Sequence, residues 1–229
     1  FIHPESGDTY QLARHQYFDE VSGRLKFHCD PGVTLENELA TRALTILAMA
    51  SDGDDIIDPF DGQEDLVAGL LRHVTPEFAY IPRNLLTTAI WAAKLRIWGF
   101  RVVHGTFKLM KKMVASGAPE QIPQEAVSDA ALQALASPRP SEFFRVLHRC
   151  GALAVFSGDL ADLFEKCDHP HSENGLPGVM RSLDRAATET ENVSTVIKRF
   201  YQLLGDRADS IFNDLGLTAL LENCVNNGD

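Results

Sequence analysis

The stretch from Val33 to Arg72, VTLENELATRALTILAMASDGDDIIDPFDGQEDLVAGLLR, constrains the fold more than any other. Thr34 can cap a helix whose first turn carries Glu36, Asn37 and Glu38, with the acids at the positive end of the helix dipole. Leu39, Ala43, Ile46, Leu47 and Met49–Ala50 recur at helical spacing, which predicts an amphipathic to buried helix along that run. Ser51 to Asp54 is a turn. Ile56-Ile57 is a short apolar strand, closed by Asp58-Pro59. Gly62 turns the chain into a second helix, Gln63 to Val74. The unit is helix, turn, strand, turn, helix, and nothing in that pattern names an activity.

Upstream, Phe1-Ile2 and Thr9 to Ala13 flank a turn at Pro4 to Asp8, a hairpin signal, and a strand near Leu25 to His28 follows Ser22-Gly23. These pieces with Ile56-Ile57 do not make a self-sufficient sheet. Further strands are expected upstream, and a homo-oligomer could form through the exposed sheet edge. From Gln63 onward the pattern is helical. Asn84 to Trp98 places Leu85, Ala89, Ala92, Leu95 and Trp98 on one face, behind Pro82 and ahead of Gly99. Thr106 to Ser116 sets Phe107, Met110 and Val114 against lysines. Another helix runs from Pro123 through Ala136. Ser141 caps a helix to Cys150 that Gly151 ends, and one short helix lies within Ala152 to Cys167. Asp168 to Gly178 reads as linker. The ranges 179–188, 191–204, 206–213 and 216–226 read as short helices.

The net charge of −11 argues against strong indiscriminate binding of nucleic acid by the molecule as a whole. The distribution matters more. Ile81 to Pro119 contains no acidic residue and seven basic ones: Arg83, Lys94, Arg96, Arg101, Lys108, Lys111 and Lys112. A basic belt on an acidic protein is a candidate RNA-phosphate surface; the competing reading is the solvated faces of two helices. The four cysteines are widely spaced with no CxxC, which fits a reduced, cytoplasmic setting. The apolar runs are too short to span a membrane.

VTLENELATRALTILAMA followed by IIDPFDGQEDLVAGLLRHV resembles the bacterial CCA-adding tRNA nucleotidyltransferase and poly(A) polymerase family. There, a segment close to Arg-Arg-Asp-Leu-Thr-Ile-Asn-Ala-Met-Ala precedes Asp-Pro-x-x-Gly-x-x-Asp-Leu and a Leu-Arg. The resemblance begins at FIHPESGDTYQLAR, similar to a family strand pair, and fades near Leu160. It implies an α+β fold: a partial nucleotidyltransferase head with a mixed sheet (about 1–60), a helical neck (61–118) and a helical body (119–229). It implies nucleotide addition to the 3′ end of tRNA from ATP and CTP with magnesium. The family's Gly-rich loop and Asp-x-Asp pair, whose carboxylates hold the two metal ions, are not in this sequence. No catalytic residue, metal ligand or cofactor is therefore assigned to it.

The resemblance also marks what has changed. In the family a Glu-Asp-x-x-Arg helix reads the incoming base, an acceptor and a donor one turn apart. Here Tyr80 and Ile81 stand at the Glu-Asp positions and Asn84 at the Arg, and further family arginines fall at Thr87 and Ile90. Isoleucine accepts no hydrogen bond and Asn84 carries no charge, so base selection by the family mechanism is expected to fail. Arg-Arg-Asp has become Thr41-Arg42-Ala43, the Asn of Ile-Asn-Ala is Leu47, a later Glu-Arg is Glu125-Ala126, and a downstream Glu is Ala130. Asp58, Pro59, Gly62, Asp65, Leu66 and FFRVLHRCGALAVF from Phe143 persist. Random decay would damage the core as well, because core changes cost several kcal/mol. The pattern is that of a folded chain which has dropped nucleotide chemistry and acts through tRNA or another structured RNA.

Arg14, Arg42 and Arg72 stand at family positions. They either meet a triphosphate or pair with local carboxylates such as Glu38 and Asp65. Cys167 to His171 matches no standard zinc spacing, and the isolated helical histidines His73, His104 and His148 lack a nucleophile partner. Trp91 and Trp98 read as core rather than as stacking platforms. Two alternatives stay open: a working nucleotidyltransferase with its catalytic carboxylates upstream, and a protein-interaction scaffold.

Overall fold

The computed structural model describes residues 15–19, 24–28, 32–51, 53–165, 176–190 and 192–226. The hairpin expected at 1–13, Arg14 and the segment Cys167 to His171 lie outside them. Strands β1 (His15–Asp19) and β2 (Arg24–His28) pair antiparallel, His15 opposite His28. Helix α1 (Leu35–Ala40) opens where Thr34 Oγ1 accepts the Asn37 amide at 3.2 Å. It ends at Thr41 rather than running on toward Ala50, and the reason is tertiary. The Thr45 amide donates to the Arg72 carbonyl at 2.9 Å, and Leu44 forms a bridge with His73. Backbone groups that a longer helix would satisfy internally are taken by a distant segment. Thr45–Leu47 is a 3-10 turn, after which β3 (Ala50–Ser51) pairs antiparallel with β4 (Ile56–Ile57).

Helix α2 (Gly62–Ala68) also falls short of Val74. Gly69, at φ 65°, ends it. The next residues form β5 (Leu70–Leu71), which pairs parallel with β6 (Arg101–Val102). Between those strands lie a 3-10 turn (Pro76–Tyr80) and α3 (Asn84–Leu95). Eight residues of α3 are buried, apolar on nearly every side, so it is an interior helix rather than an amphipathic one. After Leu95 it tightens into a 3-10 turn, Arg96–Trp98. Three residues per turn in place of 3.6 shifts the phase of the side chains. Trp98 thereby leaves the stripe of Leu85, Ala89 and Ala92 and stands 67% exposed, which corrects its expected place in the core. Trp91 does pack, half-buried, against that core.

The rest is helical: α4 (His104–Ala115), α5 (Gln124–Leu135), α6 (Pro140–Cys150), α7 (Leu153–Phe156), α8 (Gly158–Glu165), α9 (Leu176–Glu189), α10 (Val193–Leu204), α11 (Ala208–Asp214) and α12 (Thr218–Asn226). The architecture is α+β, as expected. Helix α3 packs against α5 and α6, and α6 packs against α9. Ser141 does not cap α6 as expected. Pro140 takes the first turn, and the Ser141 amide (3.0 Å) and hydroxyl (2.7 Å) both donate to buried Asp184 of α9. Phe143, Phe144, Phe200 and Phe212 are fully buried and link α6, α10 and α11 ring to ring, with Phe144 stacked on Phe200 at 5.3 Å. The helices after Leu160, where the resemblance fades, thus share one core with α3 and α6. Cys150 and Cys224 are free thiols. No helix among the described residues is long and apolar enough to cross a membrane.

Candidate nucleic-acid interface

The Asp-Pro-x-x-Gly segment is a helix-capping device. Asp58 accepts the amides of Gly62 and Gln63, both at 2.8 Å, and the Gln63 side-chain amide at 3.4 Å. Burial works against the Asp58 carboxylate, but the Gln63 and Gly62 amides outweigh it and hold its pKa below the ordinary value. Asp61 adopts the left-handed conformation (φ 58°). Gly62 then lies so close to the preceding segment that a Cβ would fall 2.4 Å from the Thr45 carbonyl oxygen and 2.9 Å from Met49 Cγ. Only glycine lets α2 press onto Thr45–Leu47.

That contact buries Asp65. Its carboxylate accepts three bonds from the Arg72 guanidinium at 2.9–3.2 Å and one from the Thr45 hydroxyl at 2.7 Å. The hydrogen bonds that Arg72 donates to Asp65 raise the Arg72 pKa. Arg42 pairs instead with Glu38 at 3.1 Å, four residues back, with the arginine side chain half-exposed and the glutamate largely covered. The described residues do not fit a magnesium site: both retained acids hold their oxygens against protein donors, and no three His, Cys, Asp or Glu side chains converge among them.

Next to Arg72, the His73 amide donates to Thr106 Oγ1 at 3.0 Å and His73 Nδ1 lies 2.9 Å from the same oxygen. This clip ties the β5 exit to the start of α4. Burial first, and the Arg72 charge second, push the His73 pKa below 6.5. The sign follows. The unfolded chain takes up the proton first as pH falls, so the contribution of His73 to stability is full above about 6.5 and is lost as pH drops from there toward the lower folded pKa. Melting temperature is expected to fall between pH 7.5 and pH 5.5, and less so in His73→Gln. An equal fall in both proteins would remove His73 as the cause.

The positions that the resemblance marks for base reading do other work. Asn84 is buried, and its Nδ2 donates to the Phe78 carbonyl at 3.0 Å, closing the turn before α3. Its amide therefore faces the protein. Ile81 is half-buried and Tyr80 exposed. Ile90, Ala43 and Ala130 are buried, and Leu47 and Ala126 pack against the core. Of the positions that the resemblance marks as polar, Ala43, Asn84, Ile90 and Ala130 are interior here, whereas Tyr80 is exposed.

The belt remains open. Arg83, Arg96, Arg101, Lys108, Lys111 and Lys112 are exposed, and Lys94 is half-buried with its ammonium 5.3 Å from the Trp91 ring centre. Among the described residues only Arg96 of the seven forms an ion pair, with Glu142 at 3.7 Å. On α4 the lysines stand opposite buried Phe107, Met110 and Met113. Arg149 of α6 adds a cation that sequence reasoning missed. Its guanidinium lies 4.2 Å from the Phe107 ring centre, beside α4. Nothing in the chain pattern points to it, because it stands outside the acid-free stretch.

In fold the chain is of the tRNA nucleotidyltransferase type. It superposes on a tRNA nucleotidyltransferase complexed with a primer tRNA and an incoming ATP analog with a TM-score of 0.61 at 17% identity, covering 93% of this chain and 68% of that one. A tRNA-processing enzyme gives 0.60 at 20% identity, covering 83% and 53%. No family model matches the chain. Curated relatives are far nearer in sequence. A "Multifunctional CCA protein" of Neisseria meningitidis serogroup C is 42% identical over 193 residues, 82% of this chain and 45% of the relative. One of Pseudomonas paraeruginosa is 39% identical over 225 residues, 94% and 51%. The chain spans about half the length of these relatives. Over the segment it spans, these matches support a member of the CCA-adding tRNA nucleotidyltransferase and poly(A) polymerase family.

Proposed function

We propose that this chain binds the phosphate backbone of structured RNA, tRNA first, through the exposed cations that flank α3 and stand on β6 and α4, and that it does not select an incoming nucleotide by the family's base-reading helix. In this reading residues 1–60 are part of a nucleotidyltransferase head, 61–118 the RNA-facing neck and 119–229 the body. The observation that carries it is a contrast along one stretch of chain, Ile81 to Pro119. At its start the base-reading position holds Asn84, turned into the protein. Beyond it, cations stand in water with no acidic residue from Ile81 to Pro119. A stretch so free of acid on a chain of net charge −11 is the footprint of a polyanion partner. The solved relative whose name includes a primer tRNA supports tRNA as that partner.

The test is tRNA binding at two salt concentrations, with and without CTP and ATP. Affinity is expected to fall steeply with salt, as counterions return to the phosphates, and to ignore nucleotide. Nucleotide-dependent binding or extension of the tRNA would restore the working nucleotidyltransferase. A salt-insensitive protein partner with no RNA retained would make the chain a scaffold.

A further inference from the structure

Trp98 is the largest apolar side chain that the described fold leaves in water. It is 67% exposed, and Ile97 beside it is 47% exposed. The phase shift after Leu95 turns it outward, so it contributes little to the core. Its surroundings are cationic. Arg96 and Arg101 flank it in the chain, both exposed. Arg96 is paired with Glu142 at 3.7 Å, a carboxylate that it shares with Arg145 at 3.9 Å. The corner is also built to a fixed shape. Gly99 ends the turn at φ 82°, and a Cβ on Gly69 would meet the Gly99 carbonyl oxygen at 3.8 Å, so the two turns lie side by side. Two parallel-strand bonds, Arg101 amide to Gly69 carbonyl (3.0 Å) and Val103 amide to Leu71 carbonyl (3.2 Å), hold them there.

An exposed indole with an exposed arginine two residues before it and another three residues after it suits an unpaired base, whose ring stacks on the indole while its neighbouring phosphates meet the cations. A neutral apolar partner would make no use of the charges, whereas a polyanion uses both. We propose that Trp98 is a stacking platform for an unpaired base of the bound RNA, with Arg96 and Arg101 on the adjoining phosphates. This rests on the reading of the belt as an RNA surface, and it adds a single-stranded element to what that surface takes.

The chain has two tryptophans, so Trp91→Phe leaves Trp98 as the sole indole reporter. The probes are a stem-loop RNA with a short unpaired 3′ tail and the same stem-loop with a blunt end. The tailed RNA is expected to bind more tightly and to quench Trp98 emission. Trp98→Ala is expected to weaken the tailed RNA about tenfold and to leave the blunt RNA and the salt dependence unchanged, while Trp98→Phe keeps most of the affinity. Equal binding of both RNAs, with Trp98→Ala silent and the salt dependence intact, overturns the stacking role and leaves the phosphate-binding reading in place. Failure of the parent protein to bind either RNA overturns both.

Discussion

Arg72→Met is expected to lower the unfolding free energy by about 3 kcal/mol, the low end for removing one partner of a buried ion pair. The low end applies because the Arg72 side chain is itself 48% exposed. The Asp65 side chain is only 6% exposed, and without the guanidinium its carboxylate would keep the Thr45 hydroxyl as its remaining side-chain donor. The loss is larger than that of a surface pair because α2, Thr45 and β5 all meet at that carboxylate. The urea midpoint is expected to shift with no change in slope. Arg42→Met is the control. Its pair with Glu38 is a single hydrogen bond in place of three, to a carboxylate that is 16% exposed against 6% for Asp65, and its removal is expected to cost about 1 kcal/mol or less. Arg72→Lys should fall between the two, since an ammonium cannot reproduce the forked guanidinium contact. Equal midpoints for Arg72→Met and Arg42→Met would refute the structural role of the Asp65 site.

The second large effect concerns RNA. Replacing Lys108, Lys111 and Lys112 together by Gln is expected to reduce tRNA affinity about a hundredfold at low salt. The slope of log K against log salt should shrink by about 3, because each lysine withdrawn from a phosphate lowers it by roughly one. Thermal stability should not change, as all three side chains are exposed and none forms an ion pair among the described residues. Arg96→Gln is expected to do less, since Glu142 already compensates that charge. If the triple variant keeps both the affinity and the slope, the lysine face of α4 does not meet RNA.

Much of this site is legible in the order of residues along the chain. The acid-free stretch with its seven cations is a property of that order, and folding adds that six of them are exposed. The Asp-Pro-x-x-Gly segment is visible as a turn into a helix. The reason for its glycine is not: the clash of a Cβ with the Thr45 carbonyl arises between residues 17 apart, through packing. The partner of Ser141 is hidden in the same way, because Asp184 comes from another helix 43 residues on. Helical periodicity puts Trp98 in the core only if the helix continues past Leu95, where a tighter turn takes over.

What the sequence determined alone is the set of local instructions. Thr34 starts α1, Gly69, Gly99 and Gly151 stop their elements, and apolar residues at helical spacing make α3 to α6 interior or amphipathic. These depend on backbone and side-chain preferences within a few residues, which order along the chain specifies. The tertiary structure alone decided where those instructions are overruled. The periodic run after Leu39 could have stayed helical through Ala50. It does not, because the Thr45 amide meets the Arg72 carbonyl and its hydroxyl meets buried Asp65. A buried donor or acceptor must find a partner, and when the nearest one lies across the fold, the local preference yields.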